Sequence, residues 1–135
     1  MLGDDRKRII LIDDHALLRQ GLERLLNTSD DFVICEETGS AAEGYELVRE
    51  MQPDGVVIDI SLPDADGIDL TQRLLAEFPG LTVIILSGHD GPDYESRAMA
   101  AGAMGYVGKN EAVDQLIIAL RNAFHGQKHF SLKPS

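Results

Sequence analysis

Gly55-Val56-Val57-Ile58-Asp59 is a short, β-branched apolar run that ends abruptly on a carboxylate. An uninterrupted run of this kind reads as a strand covered on both faces, and such strands belong to parallel sheets. A carboxylate at the end of one is costly to desolvate unless partners offset the cost. Ligands of open parallel sheets bind outside the carboxyl ends of the strands, so Asp59 stands where a site is expected.

Other runs end in the same way. Arg8-Ile9-Ile10-Leu11-Ile12 leads into Asp13-Asp14, and Leu81-Thr82-Val83-Ile84-Ile85-Leu86 leads into Ser87-Gly88. Phe32-Val33-Ile34-Cys35-Glu36 is a further strand, and Tyr106-Val107 a short last one before Gly108-Lys109. Helix-length amphipathic segments separate them: His15 to Asn27, Ala41 to Met51, Ile68 to Phe78, a segment through Ala101, and about Glu111 to Phe124. Strand alternating with helix predicts an α/β fold with a parallel sheet covered on both sides. Right-handed crossovers then bring all the strand ends to one edge.

Local signals refine the boundaries. Asp14 is placed to cap the first helix and Ser40 the second, while Pro53 closes the second and Pro79-Gly80 the third. Leu18, Gly21, Leu22 and Leu25 make the stripe of the first helix. Val113, Leu116, Ile117, Leu120 and Phe124 make that of the last, with Ile118 off the stripe and a candidate for a docking face. Gly102 and Gly126 stop their helices.

The chain has 135 residues, enough for one domain with its own core. Hydrophobic content of 44% and charged content of 26% suit a soluble globular protein. No run reaches membrane-span length, and the first residues lack a signal peptide's apolar segment. The single Cys35 excludes an internal disulfide, fits a reducing cytosol and reads as an ordinary strand position. With 23 acids against 12 bases, the net charge of −11 argues against a direct grip on nucleic acid. Neither a basic helix nor a Cys/His zinc pattern is present.

Asp13, Asp14 and Asp59 repel one another once gathered. A pair at ~4 Å and an effective dielectric of ~20 costs on the order of 4 kcal/mol. A bound cation relieves this, and carboxylate oxygens favour a hard ion, Mg²⁺ or Mn²⁺. His15 follows the acidic pair but is expected to point into the helix start rather than at a metal. Lys109 adds a fixed cation and Ser87 a donor, a set suited to phosphoryl transfer onto a carboxylate. A side chain at Gly88 is expected to crowd the incoming group.

In combination, Asp13-Asp14, Asp59, Ser87, Tyr106 and Lys109 resemble the signature of response-regulator receiver domains. Leu62-Pro63-Asp64-Ala65-Asp66-Gly67 is similar to the family's loop after the phosphoacceptor, and Gly102 to Lys109 is similar to its GAxGYLLK segment. Gly126 and Phe130-Ser131 make the NarL/FixJ branch the nearest match. The resemblance implies a flavodoxin-like (βα)5 fold of strand order 2-1-3-4-5, for which a receiver is a standard example. It implies a receiver over 8–126, an N-terminal extension over 1–7, and a linker or fraying tail over 127–135.

It also implies function. Asp59 is the phosphoacceptor for a sensor histidine kinase in a two-component system. Asp14, Asp59 and the backbone carbonyl of Ser61 hold Mg²⁺ directly, with Asp13 acting mainly through water. Ser87 and Lys109 grip the phosphoryl oxygens, and Ser87 with Tyr106 forms the switch. A LuxR-type helix-turn-helix follows in the full-length protein and contacts DNA, so that the whole is a cytoplasmic transcription regulator that can homodimerise on phosphorylation. The domain itself is a switch rather than an enzyme, limited to self-phosphorylation from small donors and autodephosphorylation. A stand-alone receiver acting through protein contacts is the alternative, and a small aspartyl-nucleophile phosphohydrolase a more distant one.

Four positions depart from or vary within the family pattern. Asn110 follows Lys109 where many receivers have a cis proline, which leaves cis or trans open. Asp64 stands where glycine is common, adding negative charge beside the site. Ser61 and His89 occupy positions expected to affect dephosphorylation.

Overall fold

The computed structural model describes residues 5–88 and 92–130. Five strands, β1 (Lys7–Ile12), β2 (Phe32–Thr38), β3 (Gly55–Asp59), β4 (Thr82–Ser87) and β5 (Gly105–Gly108), form one sheet. Its order is β2-β1-β3-β4-β5 and every pairing is parallel. The crossovers are α1 (Ala16–Asn27), α2 (Ala41–Met51), α3 (Gly67–Glu77) and α4 (Pro92–Ala101), and α5 (Ala112–Phe124) closes the fold. This is the predicted architecture.

Alternation along the strands divides the core into two layers. Ile10, Ile12, Val56, Ile58, Val83 and Ile85 face α2, α3 and α4, where Val48, Leu74 and Ala98 meet them. Ile9, Leu11, Val57, Ile84, Leu86 and Val107 face Leu22 and Leu26 of α1 and Leu116 and Leu120 of α5. Both faces are covered, which is why the strands read as continuous apolar runs. Each fully buried aliphatic side chain contributes roughly 1.5–3 kcal/mol.

Two helical stripes differ from expectation. On α5 the buried positions are Ala112, Leu116, Ala119, Leu120 and Ala123, while Val113 is 63% exposed. Alanines let the helix lie close to the sheet, and one residue is a turn of about 100°, so Val113 is carried off the buried face. On α1 Leu22 and Leu26 are buried, and Gly21 is exposed with open space around it. Ile118 is 45% exposed, as its place off the stripe predicts.

The helix ends follow capping chemistry. Ser40 Oγ accepts from the Glu43 amide at 3.2 Å and Asp66 Oδ1 from the Ile68 amide at 2.7 Å. Asp14 does not cap α1. Asp13 takes the first free amide instead, that of His15 at 2.8 Å, and the helix starts one residue later from His15 without a side-chain cap. Gly102 (φ +102°) closes α4. Gln52, at φ 46°, turns the chain out of α2 ahead of Pro53.

Beyond α5 the chain doubles back along the free edge of β5. His129 donates its amide to Met104 O at 2.8 Å and accepts from the Tyr106 amide at 3.0 Å. Phe130 packs against the α2–α4 layer. This return covers an edge that is otherwise open to pairing. The readings of residues 1–4, of the loop His89-Asp90-Gly91, of His89 in dephosphorylation, of Ser131 and of the last residues lie outside the described residues.

Candidate phosphoacceptor and cation site

The carboxyl edge of the sheet gathers the side chains that the strand ends predict. Asp13 follows β1 and Asp59 ends β3, and both are fully buried. Lys109 follows β5, and its Nζ lies 2.7 Å from Asp59 Oδ2 and 3.4 Å from Asp13 Oδ1. Asp59 Oδ1 accepts from the Ser61 amide at 3.1 Å. Asp14 is exposed at the rim. Ser87 is buried at the end of β4, in register with Gly108 on β5. Tyr106 is half-buried in β5 opposite Ile85 and packs against the α2–α4 layer.

Burial is the first influence on Asp59 and pushes its carboxyl pKa up; the Asp13 charge adds to this, while the Lys109 ammonium and the Ser61 amide pull it down. One lysine is thus shared between two buried acids. Asp13 Oδ2 is buried and has no hydrogen-bond partner among the described residues. A buried carboxylate oxygen left in that state is costly, and a bound cation satisfies it. With Asp14 and Asp59 beside it, the donor set is rich in oxygen and fits a hard dication.

His15 was expected to turn away, and it does not. Its Nδ1 lies 3.3 Å from Asp13 Oδ1, 3.8 Å from Asp14 Oδ1 and 3.8 Å from Asp59 Oδ2, and it hydrogen-bonds Lys109 Nζ. Its amide bond to Asp13 holds the backbone so that the ring hangs over the site. The Asp-Asp-His run held the signal, but adjacency alone does not say which way a ring points.

Asp64 also differs. Its carboxylate caps α2, accepting from the Ala41 amide at 2.8 Å, the Ala42 amide at 3.0 Å and Ser40 Oγ at 3.0 Å. The two amides hold its pKa below the usual carboxylate range. Its charge is therefore spent on a helix N-terminus rather than on the site. Gly88 has room for a Cβ, which among the described residues meets only Lys109 Cδ at 3.8 Å. Gly67 leaves none: a Cβ falls 2.2 Å from the Asp59 carbonyl oxygen. No cis peptide bond occurs among the described residues, so Lys109-Asn110 is trans.

Residues 9–121 match the family model of the response regulator receiver domain. The chain belongs to the response-regulator receiver family. This receiver is 32% identical over 127 residues to the oxygen regulatory protein NreC of Staphylococcus carnosus, covering 93% of the receiver and 58% of NreC. It is 35% identical over 124 residues to the transcriptional regulatory protein MctR of Rhizobium johnstonii, covering 92% and 58%. The receiver therefore spans a little under three-fifths of these curated relatives. Among solved structures it is similar to a LuxR-family two-component response regulator from Aurantimonas, with a TM-score of 0.88, 33% identity and coverage of 93% and 90%. The receiver domain of NarL from Mycobacterium tuberculosis gives a TM-score of 0.85 at 26% identity, with coverage of 91% and 99%. These relatives lie in the NarL/FixJ branch that the sequence resembles. No described helix is long and apolar enough to cross a membrane.

Proposed function

We propose that Asp59 is the phosphoacceptor of this two-component receiver and that Asp13, Asp14, Asp59 and the Ser61 carbonyl hold Mg²⁺ or Mn²⁺. The observation that carries the reading is the buried Asp13–Asp59 pair shared by one lysine, with Asp13 Oδ2 left unpartnered among the described residues. The ionised Asp59 carboxylate attacks phosphorus. The bond from phosphorus to the donor (a kinase phosphohistidine, or the acyl oxygen of a small acyl phosphate) breaks, and its electron pair leaves with the donor. Bound Mg²⁺ supplies neutralisation of charge on the phosphoryl oxygens. Lys109 opposes the same charge from the protein side, and Ser87 donates a hydrogen bond.

Ser87 and Tyr106 form the switch, which acts on the β4–β5 edge and on the returning segment hydrogen-bonded to Tyr106. In the longer protein, a LuxR-type helix-turn-helix reads that change on DNA; the relatives extend well beyond the matched region, which favours this over a stand-alone receiver. A phosphohydrolase is disfavoured because the residue two beyond Asp59 is Ser61, which lacks a second carboxyl group. Beryllofluoride tests the site: a bound fluorine resonance is expected with Mg²⁺ and not with Asp59→Asn. Continuous turnover of phosphate esters instead would favour the hydrolase.

A further inference from the structure

We propose that His15 is a nitrogen donor of this cation site and biases it toward a borderline transition dication, such as Co²⁺ or Zn²⁺, relative to Mg²⁺; this rests on the cation-site reading above. His15 Nδ1 and one carboxylate oxygen each of Asp13, Asp14 and Asp59 all lie within 4.8 Å of one another. Two donors on one octahedral ion with ~2.1 Å bonds stand about 3 Å apart when adjacent and about 4 Å apart when opposite. The separations from Nδ1 to the three carboxylates are 3.3, 3.8 and 3.8 Å, so side-chain shifts of under about 1 Å bring all three to the adjacent spacing.

The orientation of the lone pair is fixed by its partner. An ammonium only donates, so Nδ1 accepts from Lys109 and its one lone pair is engaged there; a metal ion takes that lone pair by displacing the ammonium. Lys109 is held at once by this nitrogen and by oxygens of Asp13 and Asp59, so donors of both kinds already converge on a positive charge. Asp13 Oδ2, the other oxygen of the carboxylate that Nδ1 approaches, is buried without a partner among the described residues. Mg²⁺ prefers oxygen and gives up its water reluctantly, whereas imidazole suits Co²⁺ and Zn²⁺. His15 therefore discriminates between metals where the carboxylates alone do so less.

The test is calorimetric titration of the chain and of His15→Ala with Mg²⁺ and, separately, with Co²⁺. His15 is 62% exposed at its side chain, so the substitution leaves the core intact. Freeing Lys109 alters the competition against both metals alike, so the ratio of the two dissociation constants isolates the imidazole. Loss of His15 is expected to weaken Co²⁺ by about tenfold or more and Mg²⁺ by less than about twofold. An unchanged ratio with both metals still bound overturns the His15 assignment alone. If the unaltered chain binds neither metal, or Asp14→Ala binds both as before, the cation-site reading fails and this inference with it.

Discussion

Lys109 Nζ stands 2.7 Å from Asp59 Oδ2, joining residues 50 positions apart in the chain. The same ammonium lies 3.4 Å from Asp13. Replacing it by Gln leaves two buried carboxylates facing each other. Lys109→Gln is expected to lose about 1–3 kcal/mol of stability at neutral pH, with millimolar Mg²⁺ restoring much of the loss. Urea denaturation with and without Mg²⁺ measures both, and a loss that Mg²⁺ leaves untouched contradicts the shared-cation account.

Asp59 carries the opposite expectation. Its pKa is raised in the folded chain, chiefly by burial, so the folded form holds the proton more tightly than the unfolded form. The associated stability is present below the unfolded carboxylate value, ~3.9, and is lost as pH rises through the folded pKa. Asn does not ionise. Asp59→Asn is therefore expected to be more stable than the parent at neutral pH, by on the order of 1 kcal/mol, with the advantage shrinking in acid. Paired denaturation curves at neutral and acidic pH check this, and equal stability at neutral pH speaks against it.

Asp64 stabilises the start of α2. Its lowered pKa means that its contribution is present above the unfolded value and is lost as pH falls through the folded one. The carboxylate is exposed, so screening limits the effect; Asp64→Ala is expected to cost about 1 kcal/mol or less, a few degrees in Tm. Phosphoryl uptake should be unchanged. A large loss of uptake with no shift in Tm contradicts the capping role.

Two glycines beside the site differ sharply. Gly67→Ala drives a Cβ into the Asp59 carbonyl and is expected to cost at least about 2 kcal/mol. Gly88→Ala meets only ordinary contact and should stay within roughly 0.5 kcal/mol. Thermal melts of the two variants compare them directly, and equal tolerance contradicts the packing.

The sheet was legible because β1, β3 and β4 are covered on both faces, so apolar runs map directly onto strands. Asp13, Asp59 and Lys109 were legible for the same reason, since a parallel sheet brings strand ends together. Local pattern could not assign direction within a turn. Asp13 rather than Asp14 accepts from the His15 amide just ahead of α1, and the His15 ring lies over the site. Nor could it foresee partners remote in sequence, such as Asp64 reaching back to α2, or His129 returning to Tyr106. Val113 was misplaced because alanines, which count little in an apolar stripe, form much of the buried face of α5.

The central claim is that Asp59 accepts a phosphoryl group in a cation-dependent reaction. Intact-mass measurement after incubation with acetyl phosphate and Mg²⁺ tests it most directly. A gain of one phosphoryl group is expected, absent without Mg²⁺ and absent in Asp59→Asn. No gain at any Mg²⁺ concentration, or an equal gain in Asp59→Asn, contradicts it.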